Sequence, residues 1–568
     1  MQPALKKRWR IAPRIPEEID RLFTDYHPVQ RQLLYNRNVT DLDAACQFLL
    51  PGGSLYDPFL MLNMDLTADR ILWAIDREEP IAIYGDYDVD GVTATALMVQ
   101  VLQRMGANVR AYIPNRFEEG YGLNNEALEN LLGDGVRLVI TVDCGIRSPR
   151  EASHAHHLGI DMIISDHHEP AEDLPFARAI LCPKQPGDSY PEKNLAGVGL
   201  AYKICEALLV RRPTVEIDMQ DWLDLVAVGT VADIVPLRGE NRALVRAGLR
   251  RLRQCRRQGL YSLARLAELK IEEITARDIG FVIGPRLNAA GRLDSALASF
   301  ELLTTSEVQR AGELAQQLDN QNRERQELTR SMQEQAERIA EEEEDQNLVI
   351  AVHPEFNMGV VGLVASKLTD VHYRPSVVGS QGEEYTRASC RSIPEFNITH
   401  ALDECADLLV RHGGHAMAAG FTIRNEQLPD LSKRLRAIAE RELGKRDLYP
   451  ELKADMEVSL YELQRDMLGC IDAIEPTGLG NPGVLFVTRG LKVSRYKAVG
   501  KEGSHLRLTV NEDGLLFDAI AFRQGHWAAG IPPYVDLLYA FETNDYNGRL
   551  SFQLNVRDMK ASGEPDES

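Results

Sequence analysis

Ile81-Ala82-Ile83-Tyr84-Gly85-Asp86-Tyr87-Asp88-Val89-Asp90-Gly91 sets an aspartate ladder directly after a short apolar run. If the backbone stays extended, carboxylates at i, i+2 and i+4 project to one side, because strand side chains alternate with period two. Like charges gathered on one side repel, and burying them is costly unless a cation neutralises them. The stretch therefore predicts a divalent-metal site at the end of a strand.

The surroundings repeat the rhythm. Apolar strands are expected at Ile81–Tyr84, Val109–Ile113, Leu138–Val142 and Met162–Ser165, with helices at Thr93–Met105, Asn125–Leu132 and Pro149–Leu158. Strands alternating with helices predict a mainly parallel sheet covered on both faces, with right-handed connections. Residues 306–345 are nearly all strong helix formers without proline, and they carry no sustained heptad. They predict a long connecting helix between two lobes rather than a coiled coil. A second α/β unit follows, with strands at Leu348–Val352 and Ser376–Val378 around a helix at Gly359–Leu368. After about residue 452 short strands alternate with Gly, Asn and Asp turns, the pattern of a small β-barrel. The expected division is a lead-in (1–45), a catalytic α/β domain (46–305), the helix (306–345), a second α/β domain (346–452) and a barrel (453–568).

Composition sets bounds. The 568 residues are too many for one core, and 44% apolar content is that of a globular chain. No stretch approaches the ~18 apolar residues of a membrane span. Met1 to Arg14 is basic with no apolar segment behind it, so no secretory signal is expected. The eight cysteines form no C-x-x-C pair, which points to reduced thiols and a cytoplasmic location. No oligomerisation signal is present, and a monomer is expected. The net charge of −21 reads against nucleic acid, yet Arg238 to Arg257 holds eight arginines. That stretch is either a solvated helix face or part of a local basic groove.

Other clusters sit where the ladder does. Leu138–Val142 runs into Asp143-Cys144-Gly145, Met162–Ser165 into Asp166-His167-His168, and Val228–Ala232, read as a further strand, into Asp233. Ligands gather at the carboxyl ends of strands in open parallel sheets. One strand-end aspartate is ordinarily a helix cap; four clusters converging on one crevice indicate a metal site. Carboxylates with imidazole and no thiolate suit Mn²⁺ or Mg²⁺, and so many carboxylates suit two ions about 3.5–4 Å apart.

These residues, Asp86–Gly91, Val142–Gly145, Asp166–His168 and Gly229–Asp233, resemble in order the four motifs of the DHH phosphoesterase superfamily. Within it the chain resembles the RecJ family of bacterial single-strand-specific 5′→3′ DNA exonucleases. Ile283-Gly284-Pro285-Arg286-Leu287-Asn288-Ala289-Ala290-Gly291-Arg292 is similar to that family's arginine segment. Arg411–Gly420 resembles the glycine-rich motif of the DHHA1 domain, and Ile474–Pro482 the segment that introduces the OB-fold.

The resemblance implies metal contacts from Asp86, Asp88, Asp90, Asp143, His167 and Asp233, with Asp143 as bridge. It implies His168 facing the scissile phosphate as donor or leaving-group acid, and Asp166 orienting the imidazoles. Ser389-Cys390-Arg391-Ser392 resembles a Ser-x-Arg-Ser phosphate pocket, in which the family often has glycine at the position of Cys390. Arg116 resembles another arginine near it. Gly413, Gly414 and His415, read as a glycine-rich turn, together with Arg286, Asn288 and Arg292, complete the expected phosphate and DNA contacts. A pocket for a terminal 5′ phosphate would fix polarity, and a channel wide enough for one strand would exclude duplex. Tyr496, Phe517, Phe522, Trp527 and Tyr546 are available to stack on bases, although most are expected in the barrel core. Repair and recombination, with a helicase and single-strand-binding protein as partners, are implied in the same way. The competing readings are a DHH phosphodiesterase of short oligoribonucleotides or cyclic dinucleotides, for which the barrel is superfluous, and a catalytically silent DNA-binding scaffold, which would lack ligands present here.

Overall fold

Ile81–Tyr84 (β1) is a strand because each of its residues is apolar and each face meets a different helical layer. Ile81 and Ile83 join one core with Val92 and Leu97, whereas Ala82 and Tyr84 join another with Leu128 and Ala152. The computed structural model describes residues 5–50, 55–115, 119–120, 122–293, 295–341, 347–546 and 549–564. Around β1 lie Val109–Tyr112 (β2), Leu138–Val142 (β3), Asp161–Ser165 (β4) and Ala179–Leu181 (β5), in the order β2-β1-β3-β4-β5, every pair parallel. The parallel sheet read from the sequence is present.

Helix Val89–Arg104 (α1) begins earlier than predicted, at the ladder itself. Helices Gly197–Arg211 (α2), Leu223–Ala232 (α3), Gly239–Gln254 (α4) and Gly284–Leu293 (α5) pack beyond the sheet. The expected strand at Val228–Ala232 is therefore the end of α3. Its largely apolar, β-branched composition fits a strand or a buried helix equally well, and Val226, Ala227 and Val228 are fully buried.

The chain divides into two compact units. Among the described residues, one comprises those within 11–321 and 454–564; the other comprises those within 5–10 and 322–453. The predicted long helix is Val308–Glu341 (α6). In the second unit Val349–His353 (β6), Ser376–Gln381 (β7), Tyr385–Arg391 (β8), Leu409–His415 (β9) and Ala418–Arg424 (β10) form a sheet in the order β9-β10-β8-β7-β6. Helix Val361–His372 (α7) covers it. In the first unit Phe486–Val499 (β11), His505–Glu512 (β12), Leu515–Ala521 (β13), Tyr534–Tyr546 (β14) and Arg549–Ala561 (β15) run β11-β12-β13-β15-β14, and β14 returns to β11 to close the barrel. Its aromatic core is Phe486, Tyr539 and Phe541. Tyr496 and Phe522, expected mostly inside, are about half exposed at 50% and 51%. Phe517 and Trp527 are partly buried, and the side chain of Tyr546 lies outside the description.

The lead-in is not a separate element. Val29 and Leu33, on helix Pro28–Tyr35, share the barrel's core. Arg37 donates to Asp455 Oδ1 (2.9 Å), Asn481 Oδ1 (2.7 Å) and the Pro482 carbonyl (2.7 Å), with its side chain 3% exposed. Removing one partner of a buried ion pair strands the other charge. Arg37→Met is expected to destabilise this unit by roughly 3–5 kcal/mol. Calorimetry checks this; an unshifted unfolding transition refutes it.

The arginine stretch is divided: Arg238, Arg250, Arg253 and Arg256 are exposed, while Arg242, Arg246, Arg251 and Arg257 turn inward onto protein partners. Arg242 donates to the Ala473, Ile474, Glu475 and Pro476 carbonyls and lies 3.9 Å from the Phe48 ring. One turn on, Arg246 donates to the Phe48, Leu49 and Leu50 carbonyls. Each thus serves the carboxyl end of a different helix, Arg465–Asp472 and Leu42–Leu49, where a cation suits both the carbonyls and the dipole. Arg251 pairs with Asp221 and Arg257 with Asp224.

Candidate metal centre

The ladder turns rather than running straight. β1 stops at Tyr84, and Asp88 caps α1, its Oδ1 accepting from the amides of Asp90 (2.9 Å) and Gly91 (3.1 Å). A Cβ at Gly91 would lie 2.6 Å from Asp86 N and O, so only glycine lets the chain fold back this tightly. Asp86 and Asp88 consequently precede the helix and Asp90 lies within its first turn. The three carboxylates do not share one side through extended backbone, as expected from the sequence. Asp90 instead accepts from Gly197 N (Oδ2, 2.6 Å) and Val198 N (Oδ1, 2.8 Å) at the start of α2.

The other members come from the ends of β3 and β4 and from the C-terminal end of α3. Asp143 follows β3 with φ of +62°, a conformation rare for any residue but glycine. Its amide donates to Ser165 O at 3.1 Å. Asp166 and His167 follow β4, and Asp233 is the residue after α3. The prediction of four strand ends becomes three strand ends and one helix end.

Candidate ligand atoms fall into three overlapping groups, each with its atoms within 4.8 Å of one another: Asp86, Asp88 and Asp143; Asp143, His167 and His168; and Asp90, His167 and Asp233. Asp143 and His167 each belong to two of them. His167 Nε2 lies 3.0 Å from Asp143 Oδ1, 3.4 Å from Asp233 Oδ2 and 3.8 Å from Asp90 Oδ2. Asp143 Oδ1 and His167 Nε2 are buried, yet neither has a hydrogen-bond partner. Buried polar atoms are otherwise nearly always satisfied. Buried donor atoms left without hydrogen bonds, in an oxygen-rich set with one or two imidazoles and no thiolate, fit Mn²⁺ or Mg²⁺.

The electrostatics agree. Burial, then the charge of Asp88, pushes Asp90 up to about 7. Burial, then Asp90 and Asp88, pushes Asp233 up to about 9, and burial with the neighbouring carboxylates raises Asp143 well above its ordinary value. Such a set holds its charge only against a cation. Burial, with the charge of His168, lowers His167 to about 3, leaving the neutral imidazole a metal requires. Asp166 differs. Burial acts to raise it, but the His168 hydrogen bond and charge prevail and hold it below the usual carboxylate range. Its Oδ1 lies 2.7 Å from His168 Nδ1 and its Oδ2 accepts from Ile146 N at 2.9 Å. The ionised carboxylate makes Nδ1 the donor and leaves His168 Nε2 as the ring's outward nitrogen.

In the second unit Ser389 and Arg391 lie on β8, with Gly420 and Gly413 in the row of Ser389 and Ala418 and His415 in the row of Arg391. The predicted Gly-Gly-His turn is thus part of edge strand β9, its three residues exposed. Cys390 is fully buried in the core, pointing away from Ser389 and Arg391, so its difference from the family pattern does not reach their face. A Cβ at Gly362, in the first turn of α7, would lie 3.2 Å from Arg391 Nη2 and 3.6 Å from Ser389 Oγ. Sequence reasoning missed this wall, and also the Gly197–Val198 amides; a glycine at each helix start was the available signal. Arg286 donates to Asp319 Oδ1 (3.0 Å) and Val282 O (2.9 Å), while Asn288 and Arg292 are half-buried on the same helix. Arg116 lies outside the described residues.

Residues 80–230 match the model of the DHH family, N-terminal domain, residues 345–441 the DHHA1 domain and residues 454–558 the RecJ OB domain. The single-stranded-DNA-specific exonuclease RecJ of Bacillus subtilis (strain 168) is 39% identical over 98% of this chain and 71% of its own length. The chain belongs to the RecJ family. The Escherichia coli (strain K12) RecJ is 32% identical over 97% of this chain and 99% of its own length. The RecJ structure from Thermus thermophilus in complex with Mn²⁺ superposes with a TM-score of 0.85 at 28% identity, covering 98% of this chain and 80% of that one. A RecJ structure from the same source contains Mg²⁺.

Proposed function

We propose that this chain is a Mn²⁺- or Mg²⁺-dependent exonuclease specific for single-stranded DNA, working 5′→3′ and releasing nucleoside 5′-monophosphates. The observation that carries it is the pair of shared ligands, Asp143 and His167, joining three donor groups into one centre in a RecJ-family chain. Asp86, Asp88 and Asp143 would hold one ion; Asp90, His167 and Asp233, with Asp143 as bridge, would hold the second. Such ions lower the pKa of water and polarise phosphoryl oxygens. The chain's own part is positioning. Gly197 and Val198 amides fix Asp90, Asp166 fixes the His168 ring, and His168 Nε2 donates a proton to the departing 3′ oxygen.

Arg391, Ser389 and the start of α7 form the binding place for a terminal phosphate. Arginine's planar fork suits that group, and holding the 5′ end sets the direction of digestion. Tyr496 and Phe522, both about half exposed, would stack on bases, and exposed Arg495 and Lys497 beside Tyr496 on β11 would attract the backbone. Binding then weakens with salt despite the negative net charge. The protein acts as a cytoplasmic monomer in repair and recombination, with a helicase and single-strand-binding protein. No helix among the described residues is long and apolar enough to cross a membrane.

Digestion of end-labelled DNA with Mn²⁺ tests the reading. Single strands should be lost from the 5′ end and blunt duplex should survive; loss from the 3′ end contradicts it. Arg391→Ala should lower the rate on 5′-phosphorylated strands by roughly 10–100-fold, the worth of a charge-assisted contact. An unchanged preference for phosphorylated ends removes Arg391 from this role.

A further inference from the structure

The backbone between Asp86 and Asp88 rests on α5. A Cβ at Gly291 would lie 2.7 Å from the Tyr87 carbonyl oxygen and 3.5 Å from the Tyr87 Cβ. Carbon does not approach a backbone oxygen that closely, so α5 sits flush on this peptide only because residue 291 is glycine. Tyr87 stands between the two aspartates, and displacing its peptide displaces both carboxylates.

The rest of α5 is fixed from outside the site. Arg286 donates through Nε to Asp319 Oδ1 on α6 at 3.0 Å and through Nη1 to Val282 O at 2.9 Å. The pair is well shielded, with side chains 18% and 2% exposed. Leu287, the next residue, is buried in the core, and its carbonyl accepts from Ser299 Oγ at 2.8 Å. A π-helical turn, Ile279–Ile283, leads directly into α5. Such turns shift the register of a helix by a residue and commonly accompany functional sites.

We propose that α5 is a strut that sets the Asp86–Asp88 pair in register with Asp143. In it Arg286 is a positioning residue acting through Asp319, not a DNA-phosphate contact. The proposal rests on the reading of Asp86 and Asp88 as metal ligands. Supports of metal ligands typically change affinity by about 10–100-fold when removed.

The test compares the full-length parent with Gly291→Ala, Arg286→Met and Arg286→Lys. Readouts are Mn²⁺ binding to the DNA-free protein by electron paramagnetic resonance, single-strand affinity in EDTA, and the Mn²⁺ concentration for half-maximal activity. Gly291→Ala and Arg286→Met should weaken Mn²⁺ binding and raise that concentration by about 10–100-fold, with affinity in EDTA within about twofold of the parent. Arg286→Lys, which keeps a cation for Asp319, should recover part of the loss. Should Gly291→Ala fail to fold, Arg286→Met decides. Unchanged Mn²⁺ binding in Arg286→Met, or weakened DNA binding in EDTA without a metal defect, overturns the strut. A parent that binds no Mn²⁺ overturns the metal reading beneath it, a distinguishable failure.

Discussion

Asp143→Ala should reduce hydrolysis of single-stranded DNA on the order of 10³-fold or more, with no recovery at high Mn²⁺. On the proposed reading Asp143 bridges the two ions, so its loss should open both positions instead of weakening one; it belongs to two of the three donor groups. It is also held in a left-handed backbone conformation with its amide on Ser165 O, so a neighbouring carboxylate has no ready path into its place. Asp88 is a useful contrast. It caps α1 as well as facing the centre, so Asp88→Ala should lose about 1 kcal/mol of stability along with activity. Initial rates across an Mn²⁺ titration, with the number of ions bound, decide the matter. A rate within tenfold of the parent, or full rescue by metal, would end the case for Asp143 as bridge.

His168→Ala should cost about 10²–10⁴-fold, the usual worth of a positioned general acid. Asp166→Asn should cost less, roughly 10–100-fold, because it disturbs the ring's orientation and tautomer but leaves the imidazole present. The split arises from geometry: Asp166 Oδ1 lies 2.7 Å from Nδ1 and Asp166 Oδ2 is itself held by Ile146 N, so on the proposed reading Nε2 is the nitrogen that meets substrate. A strand with sulfur in place of the bridging 3′ oxygen isolates the role, since a thiolate departs without protonation. On that strand most of the His168→Ala defect should vanish. A defect equal on both strands assigns His168 to phosphate binding or metal support instead.

The strand ends were legible because each cue was local. A short, mostly apolar run just ahead of a carboxylate announces a buried strand, and β1, β3 and β4 follow that cue. What misled was context. The run Val228–Ala232 is buried or half-buried throughout and shows no polar face, Thr230 included, so only packing decides between helix and strand. Extended backbone beyond Tyr84 was a fair default until Asp88 is seen capping α1 and Gly91 admitting the fold-back. Arg242 and Arg246 could not be placed because their partners are carbonyls more than 190 residues away in the chain. Exposed Tyr496 and buried Tyr539 carry the same ring, and only the register of the closed barrel separates them.

The sharing of one core by helix Pro28–Tyr35 and the barrel also bears on how the protein is made. Arg37 and Asp455 are 418 positions apart, so a ribosome delivers the guanidinium long before its carboxylate exists. Domains tend to fold as they emerge, and contacts of such separation form late. Throughout that interval Val29 and Leu33 lack the surface that buries them, and this early segment is a natural client for chaperones. A nascent chain halted before the barrel should therefore be cut by protease near its beginning while the parallel sheet already resists.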